Sequence, residues 1–225
     1  MTQTRKNTKT KWAILILGAL TNAIVVAVQS ISLTVLLPEI SAEMDLSLVQ
    51  TGLAWGILSL PIIFSSFFAG ILVDRLGAKR TFIIGCMLAG LFGASRGLAN
   101  SFPTLMVTIF AFGLSYPLMT ISNVKNTKIW FDEKELGFAN GIVSLGMALG
   151  FFVGSNVSAA IISPWLGGWR NVFFLYGLIS FLMIIPWMIS PSAPAHSIDK
   201  DRPTQKLSWR QISPVSYTHL TLPTN

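Results

Sequence analysis

Six long runs of apolar residues, each followed by a short polar or charged break, cover most of this chain. An α-helix needs about 20 apolar residues to cross a bilayer, and each run comes within a few residues of that length. No run alternates apolar and polar positions in the ten-residue pattern of a transmembrane β-strand. Because helices satisfy their backbone hydrogen bonds within one segment, the pattern predicts an all-α membrane protein. The predicted spans are residues 12–37, 48–73, 81–99, 104–123, 138–162 and 172–189.

The composition agrees with this pattern. The 225 residues are 52% hydrophobic and only 11% charged, with a mean hydropathy of +0.64, whereas a soluble domain carries about 25% charged residues. The formal net charge of +7 lies in short loops and tails and not on a basic helix face, so no nucleic acid is expected as a partner. A single cysteine, Cys86, provides neither a disulfide nor a metal site. The lipid bilayer is therefore the expected surrounding.

The positions of lysine and arginine predict how the spans are oriented. Fourteen of the 16 lie in the N-terminal tail 1–11, in the loops after spans two and four, and in the C-terminal stretch 191–225. Because basic loops stay on the cytoplasmic side, we expect both ends of the chain in the cytoplasm and a plasma-membrane location. Arg96, near the end of span three, is expected to reach the headgroups on the opposite side. The acidic residues of that side are Glu39, Glu43 and Asp45.

Residues 70–80, between spans two and three, form the most distinctive stretch. The spacing is Gly-x3-Asp-Arg-x-Gly-x-Lys-Arg, and a glycine at the tight reversal allows a positive φ. An ordinary basic membrane loop would account for the charge alone. The spacing, however, resembles the signature loop of the major facilitator superfamily, with Ala78 at a position that is often basic. The residues that match the signature are Gly70, Asp74, Arg75, Gly77, Lys79 and Arg80.

The resemblance implies a twelve-helix carrier, of which residues 12–190 would form the N-terminal six-helix half. Such a half consists of two inverted three-helix repeats, and alternating access moves the two halves around a mid-membrane site. In the family, the acid of the signature loop, here Asp74, holds the halves together at the cytoplasmic side. A weak internal repeat agrees: segments 76–80 and 166–170 share Leu, Gly and Arg at a distance of 90 positions.

Uncharged polar residues supply the candidate substrate contacts. Since spans one, two, four and five border the central cavity in the resembled family, the candidates are Asn22, Gln29, Tyr116 and Asn156. Asn22 and Gln29 are seven residues apart and therefore share a helix face. Hydrogen bonding between neighbouring helices is the alternative, and it is favoured for any one of these residues taken alone.

Span five carries a stripe of small residues at Gly146, Gly150 and Gly154. Small residues at steps of four let another helix backbone approach closely, so the stripe predicts a helix–helix contact. The family's antiporters have a Gly-Pro pair in this region, whereas Met147 follows Gly146 here. This departure makes a drug-proton antiporter a poorer match.

The sequence offers no support for catalytic chemistry. It contains no Ser/His/Asp set, no cluster of His or Cys and no glycine-rich phosphate loop, so we expect no enzyme, no metal and no cofactor. The spans lack Asp, Glu, Lys and His near their middles, so ion coupling would use residues elsewhere or the carrier would be passive. The expected function is secondary active or facilitative transport of a small solute, either an organic anion or another metabolite. A six-span channel or a non-transporting scaffold is the alternative.

Residues 191–225 change to a composition rich in Pro, Ser and charge without periodicity, which predicts a cytoplasmic linker. The end of the chain, residues 216–225, resembles translated adapter sequence, so we expect the residues after Val215 to be non-native. On this interpretation the chain is truncated within the linker, and its protein partner is the missing C-terminal six-helix half.

Overall fold

The computed structural model describes residues 2–192, with side chains from residue 9 onward. These residues are almost entirely helical, and no strand occurs among them. Six of the helices are long and apolar enough to cross a membrane, which confirms the predicted all-α membrane fold with six spans. They are α1 (Lys9–Met44), α2 (Leu48–Leu76), α3 (Ala78–Leu98), α4 (Phe102–Trp130), α5 (Glu133–Leu166) and α6 (Trp169–Ile189). The predicted linker lies outside the described residues, apart from its first two positions.

Several helices extend past the predicted spans. α4 continues to Trp130, beyond the predicted end at Asn123, and the helix that leads into α1 begins at Thr2. Lys125 and Lys128 end the apolar run of α4, but lysine is a good helix former. The helix therefore continues where the hydrophobic pattern has stopped.

The pairing of helices agrees with the predicted two-fold repeat. α1 packs mainly against α5, α2 against α4, and α3 against α4 and α6. When each of the first three helices is exchanged for its counterpart three helices later, the α1–α5 pair becomes the α4–α2 pair. The α3–α6 pair is unchanged by this exchange. These two relations fit two inverted three-helix units, whereas the α3–α4 pair has no equally extensive α6–α1 counterpart.

Two spanning helices contain π-helical segments. In α1 the segment is Asn22–Val28, and in α5 it is Ser158–Ile162. The segment in α5 is followed by Pro164, whose missing N–H and whose ring interrupt the α-helical hydrogen-bond ladder. A π-helical turn is wider than an α-helical turn because its hydrogen bonds join residues five positions apart. A neighbouring helix must therefore leave more space at these levels.

The glycine stripe of α5 leaves that space beside α1. A Cβ atom added at Gly150 would lie 2.8 Å from Ala23 Cα and from Ala27 Cβ, and one added at Gly154 would lie 3.0 Å from Val28 Cα. The Cβ atom at Gly154 would also lie 2.5 Å from Ile31 Cγ2. Real Cβ atoms essentially never approach other atoms closer than 3.0 Å, so a side chain at either position would push the helices apart. The α5 glycines that lie against α1 are Gly146, Gly150 and Gly154.

Burial differs among the helices. α1 is the most buried, whereas α2 and α5 expose most of their surface in this six-helix unit. The exposed surface of α2 includes the aromatic side chains of Phe64, Phe67 and Phe68. A large exposed apolar surface belongs in lipid or against another protein body. α2 and α5 therefore offer the surfaces that lipid or a further domain can cover.

Candidate functional site

Charged residues gather at the two ends of the bundle. The basic end, marked by Lys11, Lys79 and Lys125, contains the α2–α3 turn and the α4–α5 connection. The acidic end, marked by Glu39 and Glu43, contains the α1–α2 and α3–α4 connections and the α5–α6 turn. Each end contains at least one ion pair that joins two different helices, so the helices are in contact at both ends as well as in the core.

The signature loop forms a one-residue turn at the basic end. α2 ends at Leu76, Gly77 adopts φ +80° and ψ +160°, and α3 begins at Ala78. This backbone conformation strongly favours glycine. A Cβ atom at Gly77 would meet no neighbouring atom within 4 Å, and the same is true at Gly70. The backbone turn therefore accounts for Gly77, whereas close packing does not.

Asp74 forms an ion pair with α4. Lys125 Nζ lies 2.7 Å from Asp74 Oδ1, and the side chain of Asp74 remains 75% exposed. Ion pairs at such exposed positions contribute only about 0–1 kcal/mol to stability. Asp74 is thus paired within the six-helix unit but remains accessible from outside it.

Lys79 connects the same turn to the end of α6. Its ammonium group donates hydrogen bonds to the carbonyl oxygens of Met188, at 3.0 Å, and Ser190. A cation at a helix C-terminus is stabilised by the unpaired carbonyl groups and by the helix dipole. The other two bases of the signature, Arg75 and Arg80, are exposed at the surface of the basic end.

Two carboxylates from α1 hold the α5–α6 turn at the acidic end. Glu39 accepts hydrogen bonds from the Trp169 backbone N–H at 2.9 Å and from the Ser163 hydroxyl at 2.6 Å. Glu43 accepts a hydrogen bond from the Trp169 indole N–H at 2.6 Å and pairs with Arg170. Because Trp169 is the first residue of α6, these carboxylates also lie at the positive N-terminal end of the α6 helix dipole, which stabilises negative charge.

Gln29, a predicted substrate contact, lies inside the bundle and is 0% exposed. Its amide nitrogen donates to the Ser180 hydroxyl and, at 3.4 Å, to the carbonyl oxygen of Tyr176, both on α6. Its amide oxygen accepts a hydrogen bond from Arg96 on α3 at 2.9 Å. Contact with a solute would require this network to open. The interhelical alternative therefore describes Gln29 better than a cavity lining does.

The other three predicted contacts lie in different surroundings. Asn22 is almost fully buried at the start of the α1 π-helical segment, and its Oδ1 atom has no hydrogen-bond partner. Tyr116 is partly buried and packs against a core cluster to which α1, α3, α4 and α6 contribute. Asn156 is exposed on α5, and its amide nitrogen donates to the carbonyl oxygen of Phe152 at 2.7 Å. Of the four candidates, Tyr116 and Asn156 retain surface that a solute could reach.

Arg96 lies in the interior and not among the headgroups, so the prediction made for it is wrong. Its side chain is 0% exposed. The guanidinium donates hydrogen bonds to the carbonyl oxygen of Gly93 and to the carbonyl and amide oxygens of Gln29, at 2.9 to 3.2 Å. The rings of Phe112 and Phe173 lie against it, with centroids 4.1 and 4.3 Å from Cζ.

The direction of helical side chains explains where Arg96 lies. Side chains in an α-helix point towards the N-terminus of the helix. α3 runs from the basic end to the acidic end, so a long side chain near its C-terminus points back into the membrane. The prediction from the sequence considers only the position of the Arg96 Cα atom and ignores this direction. The direction is the one feature of the sequence that indicates an interior position for the guanidinium.

Comparison with known proteins agrees with this fold. The family model described as the Major Facilitator Superfamily matches residues 15–222. The probable sulfoacetate transporter SauU of Cupriavidus necator is 25% identical over 185 residues, which cover 81% of this chain and 43% of that protein. The probable galactarate/D-glucarate transporter GarP of Escherichia coli is 26% identical over 196 residues, which cover 82% of this chain and 42% of that protein.

A third relative, the hexuronate transporter of Escherichia coli, is 29% identical over 143 residues, covering 60% of this chain and 31% of that protein. The chain thus spans less than half the length of the curated relatives it matches. These relatives carry the names of transporters, in agreement with the prediction that the chain is not an enzyme. Because the family model matches most of its residues, the chain belongs to the major facilitator superfamily.

Proposed function

We propose that this chain is the N-terminal six-helix half of a carrier that moves a small organic anion across the plasma membrane by alternating access. The observation that carries the proposal is the turn at residues 70–80, where the signature residues lie together at one end of a six-span bundle. Family membership and the transporter names of the relatives support it.

The exposed surfaces of α2 and α5 supply the place for a second six-helix half. Both helices are the least buried of the six, and the exposed Asp74 lies at the end of α2. The lysine and arginine residues of the basic end favour a cytoplasmic location for that end. Asp74 would exchange its pairing with Lys125 for the N-terminus of a helix in the second half as the halves rock.

An organic anion as substrate agrees with the relatives. Their names specify sulfoacetate, galactarate or D-glucarate, and hexuronate, and all these solutes carry at least one acidic group. On this half, Tyr116 and Asn156 are the proposed solute contacts because each retains accessible surface. Asn22 joins them if its unpaired Oδ1 atom becomes accessible during the cycle.

Counter-flow in proteoliposomes tests the proposal. Vesicles containing the complete transporter are loaded with unlabelled glucuronate, glucarate or sulfoacetate and diluted into a trace of the labelled solute. A carrier gives a transient accumulation of label above equilibrium for at least one of these solutes. Simple equilibration, as through a channel, or no flux at all, as with a scaffold, would contradict the proposal.

A second experiment tests the role of the signature turn. Asp74→Asn in the complete transporter is expected to slow transport far more than it weakens binding, because it removes an interaction made in only one state. Asp132→Asn is a matched control, since Asp132 is also an exposed acid at the basic end but lies outside the turn. Equal losses of transport and binding for Asp74→Asn would contradict a role in switching.

A further inference from the structure

The guanidinium of Arg96 is a cation in the interior of the bundle, and its bonding partners are all neutral. It donates to carbonyl oxygens of Gly93 and Gln29 and to the amide oxygen of Gln29. The rings of Phe112 and Phe173 lie against it, with centroids 4.1 and 4.3 Å from Cζ. Arginine keeps its proton in proteins. These dipoles and rings stabilise the charge locally but contribute no net negative charge.

Arg96 also lies inside the membrane, on the acidic side of its centre. Its partner Gln29 is ten residues before Glu39 along α1, which corresponds to roughly 15 Å from the acidic end at 1.5 Å per residue. Counted along α6, Phe173, whose ring lies against the guanidinium, is four residues after Trp169, which gives a depth of roughly 6 Å. Since the hydrocarbon core is about 30 Å thick, both counts place the guanidinium within it, between the acidic end and the centre.

No acidic side chain in the described range, residues 9–192, shares that level. All seven acids of this range lie at helix ends or in connections, and the structure places three at the acidic end and four at the basic end. They are Glu39, Glu43, Asp45, Asp74, Asp132, Glu133 and Glu135. The helices that pack around Arg96, namely α1, α4 and α6, contribute Gln29, Phe112 and Phe173 to it. The positive charge is therefore uncompensated within this half.

We infer that Arg96 gives a mid-membrane substrate site a positive potential from the acidic side and thereby selects anionic over neutral solutes. The inference rests on the proposed function and assigns its charge preference to a residue that does not touch the solute. A mid-membrane depth is where carriers of this architecture bind their substrates. Charges interact strongly across a low-dielectric wall, so a buried cation favours an anion in the adjacent cavity. Burial of an unpaired charge is costly, which is why an ionisable group inside a membrane points to a function.

Two substitutions of Gln29 separate this electrostatic role from a purely structural one. Gln29→Glu keeps the shape of the side chain and places a carboxylate where the amide oxygen now accepts from Arg96 at 2.9 Å, so it cancels the charge and retains the contact. Gln29→Met removes the hydrogen bonds to Arg96 and Ser180 but leaves the charge of Arg96 uncompensated. The two variants thus change charge and geometry independently.

The measurement is competition against solute uptake by the complete transporter in proteoliposomes, with glucuronate and its neutral amide, glucuronamide, as probes. Gln29→Glu is expected to lower the preference for glucuronate over glucuronamide by roughly 7- to 17-fold, the size of a Coulomb interaction over about 10–15 Å at an effective dielectric constant of 20. Gln29→Met is expected to leave the preference near the wild-type value. Arg96→Gln should behave as Gln29→Glu does, and Arg96→Lys should retain the preference.

The inference is overturned if Gln29→Glu and Gln29→Met change the preference equally, or if neither changes it. It is also overturned if the wild-type carrier transports solutes but prefers the neutral amide, an outcome that leaves the proposed carrier function intact. A wild-type protein that gives no counter-flow with any of the solutes contradicts the carrier function itself, and the inference falls with it.

Discussion

The two glycine turns of the bundle are built on the same plan but used differently. The α2–α3 turn at the basic end contains Gly77 at φ +80°, and the α5–α6 turn at the acidic end contains Gly167 and Gly168 at φ +78° and +131°. A basic residue next to each turn also forms a hydrogen bond with the other three-helix unit. Lys79 donates to the last carbonyls of α6, and Arg170 donates to the carbonyl oxygen of Ala99 just after α3, at 3.0 Å.

The difference lies in the acids. At the acidic end, Glu39 and Glu43 come from α1 and bind Trp169, whose side chain is 0% exposed. At the basic end, Asp74 belongs to the helix that leads into the turn, and its side chain is 75% exposed beside Lys125. The acidic-end turn is therefore closed by contacts within the bundle, whereas the basic-end turn keeps an acid available for another partner. Three pairs of substitutions test this comparison through stability.

Trp169→Ala should have the largest effect. It removes a fully buried aromatic side chain and the hydrogen bond to Glu43, so a loss of about 3–5 kcal/mol in the free energy of unfolding is expected. Thermal unfolding of the complete transporter in detergent measures it. Trp165→Ala is the matched control, because Trp165 lies near the end of α5, just before the same turn, with its side chain exposed. Similar losses for the two variants would mean that the acidic-end turn is not closed as described.

Gly77→Ala and Gly168→Ala should have intermediate and nearly equal effects. Both glycines adopt a positive φ with an extended ψ, so an alanine would be strained by about 1–3 kcal/mol at either position. A Cβ at Gly77 would meet no atom, and one at Gly168 would meet Glu39 Oε1 at an ordinary 3.6 Å, so neither position adds a steric clash. The melting temperatures of the two variants provide the comparison. A much larger loss at one turn would show that the backbones are not equivalent.

The smallest effects come from neutralising one acid at each end. Glu39→Gln weakens charge-assisted hydrogen bonds to Trp169 and Ser163, so we expect a loss of about 1 kcal/mol in stability. Asp74→Asn should cost less than about 0.5 kcal/mol because its ion pair is exposed and screened by salt. Unfolding at low and high salt separates the two cases. A larger stability loss for Asp74→Asn than for Glu39→Gln would contradict the comparison. It would mean that the acid of the basic-end turn contributes more to the bundle than the acid that contacts the acidic-end turn.

The sequence predicts the spans and the glycine stripe well for a physical reason. A helix in lipid must present a long apolar segment, and helices in lipid associate mainly through close packing of small residues. Both requirements produce patterns among residues that are near each other in the sequence. Gly150 could be assigned to a helix contact from its spacing alone, and it does lie against Ala23. Helix ends are less predictable, because lysines such as Lys125 interrupt hydrophobicity without interrupting the helix.

The partners of polar side chains are not predictable in the same way. Gln29 and Arg96 are 67 positions apart, and no local pattern indicates that they meet. Asn22 and Gln29 were expected to share a face that lines the cavity, since regular helical spacing relates positions seven apart. The π-helical segment Asn22–Val28 lies between them and changes that spacing. Structure was needed to show that Gln29 turns towards α3 and α6.

The same segment shows where α1 can change its length. A π-helical turn accommodates about one residue more than an α-helical turn, so residues 22–28 hold about one extra residue in the middle of the helix. Deleting one residue there would allow a regular α-helix with little rotation of the residues that follow, so Gln29 would still face Arg96 and Glu39 would still face Trp169. Deleting one residue from the regular helix between Gln29 and Glu39 would instead rotate Glu39 by about 100° away from Trp169. A single-residue deletion is therefore expected to be tolerated in the π-helical segment and not in the helix that follows it.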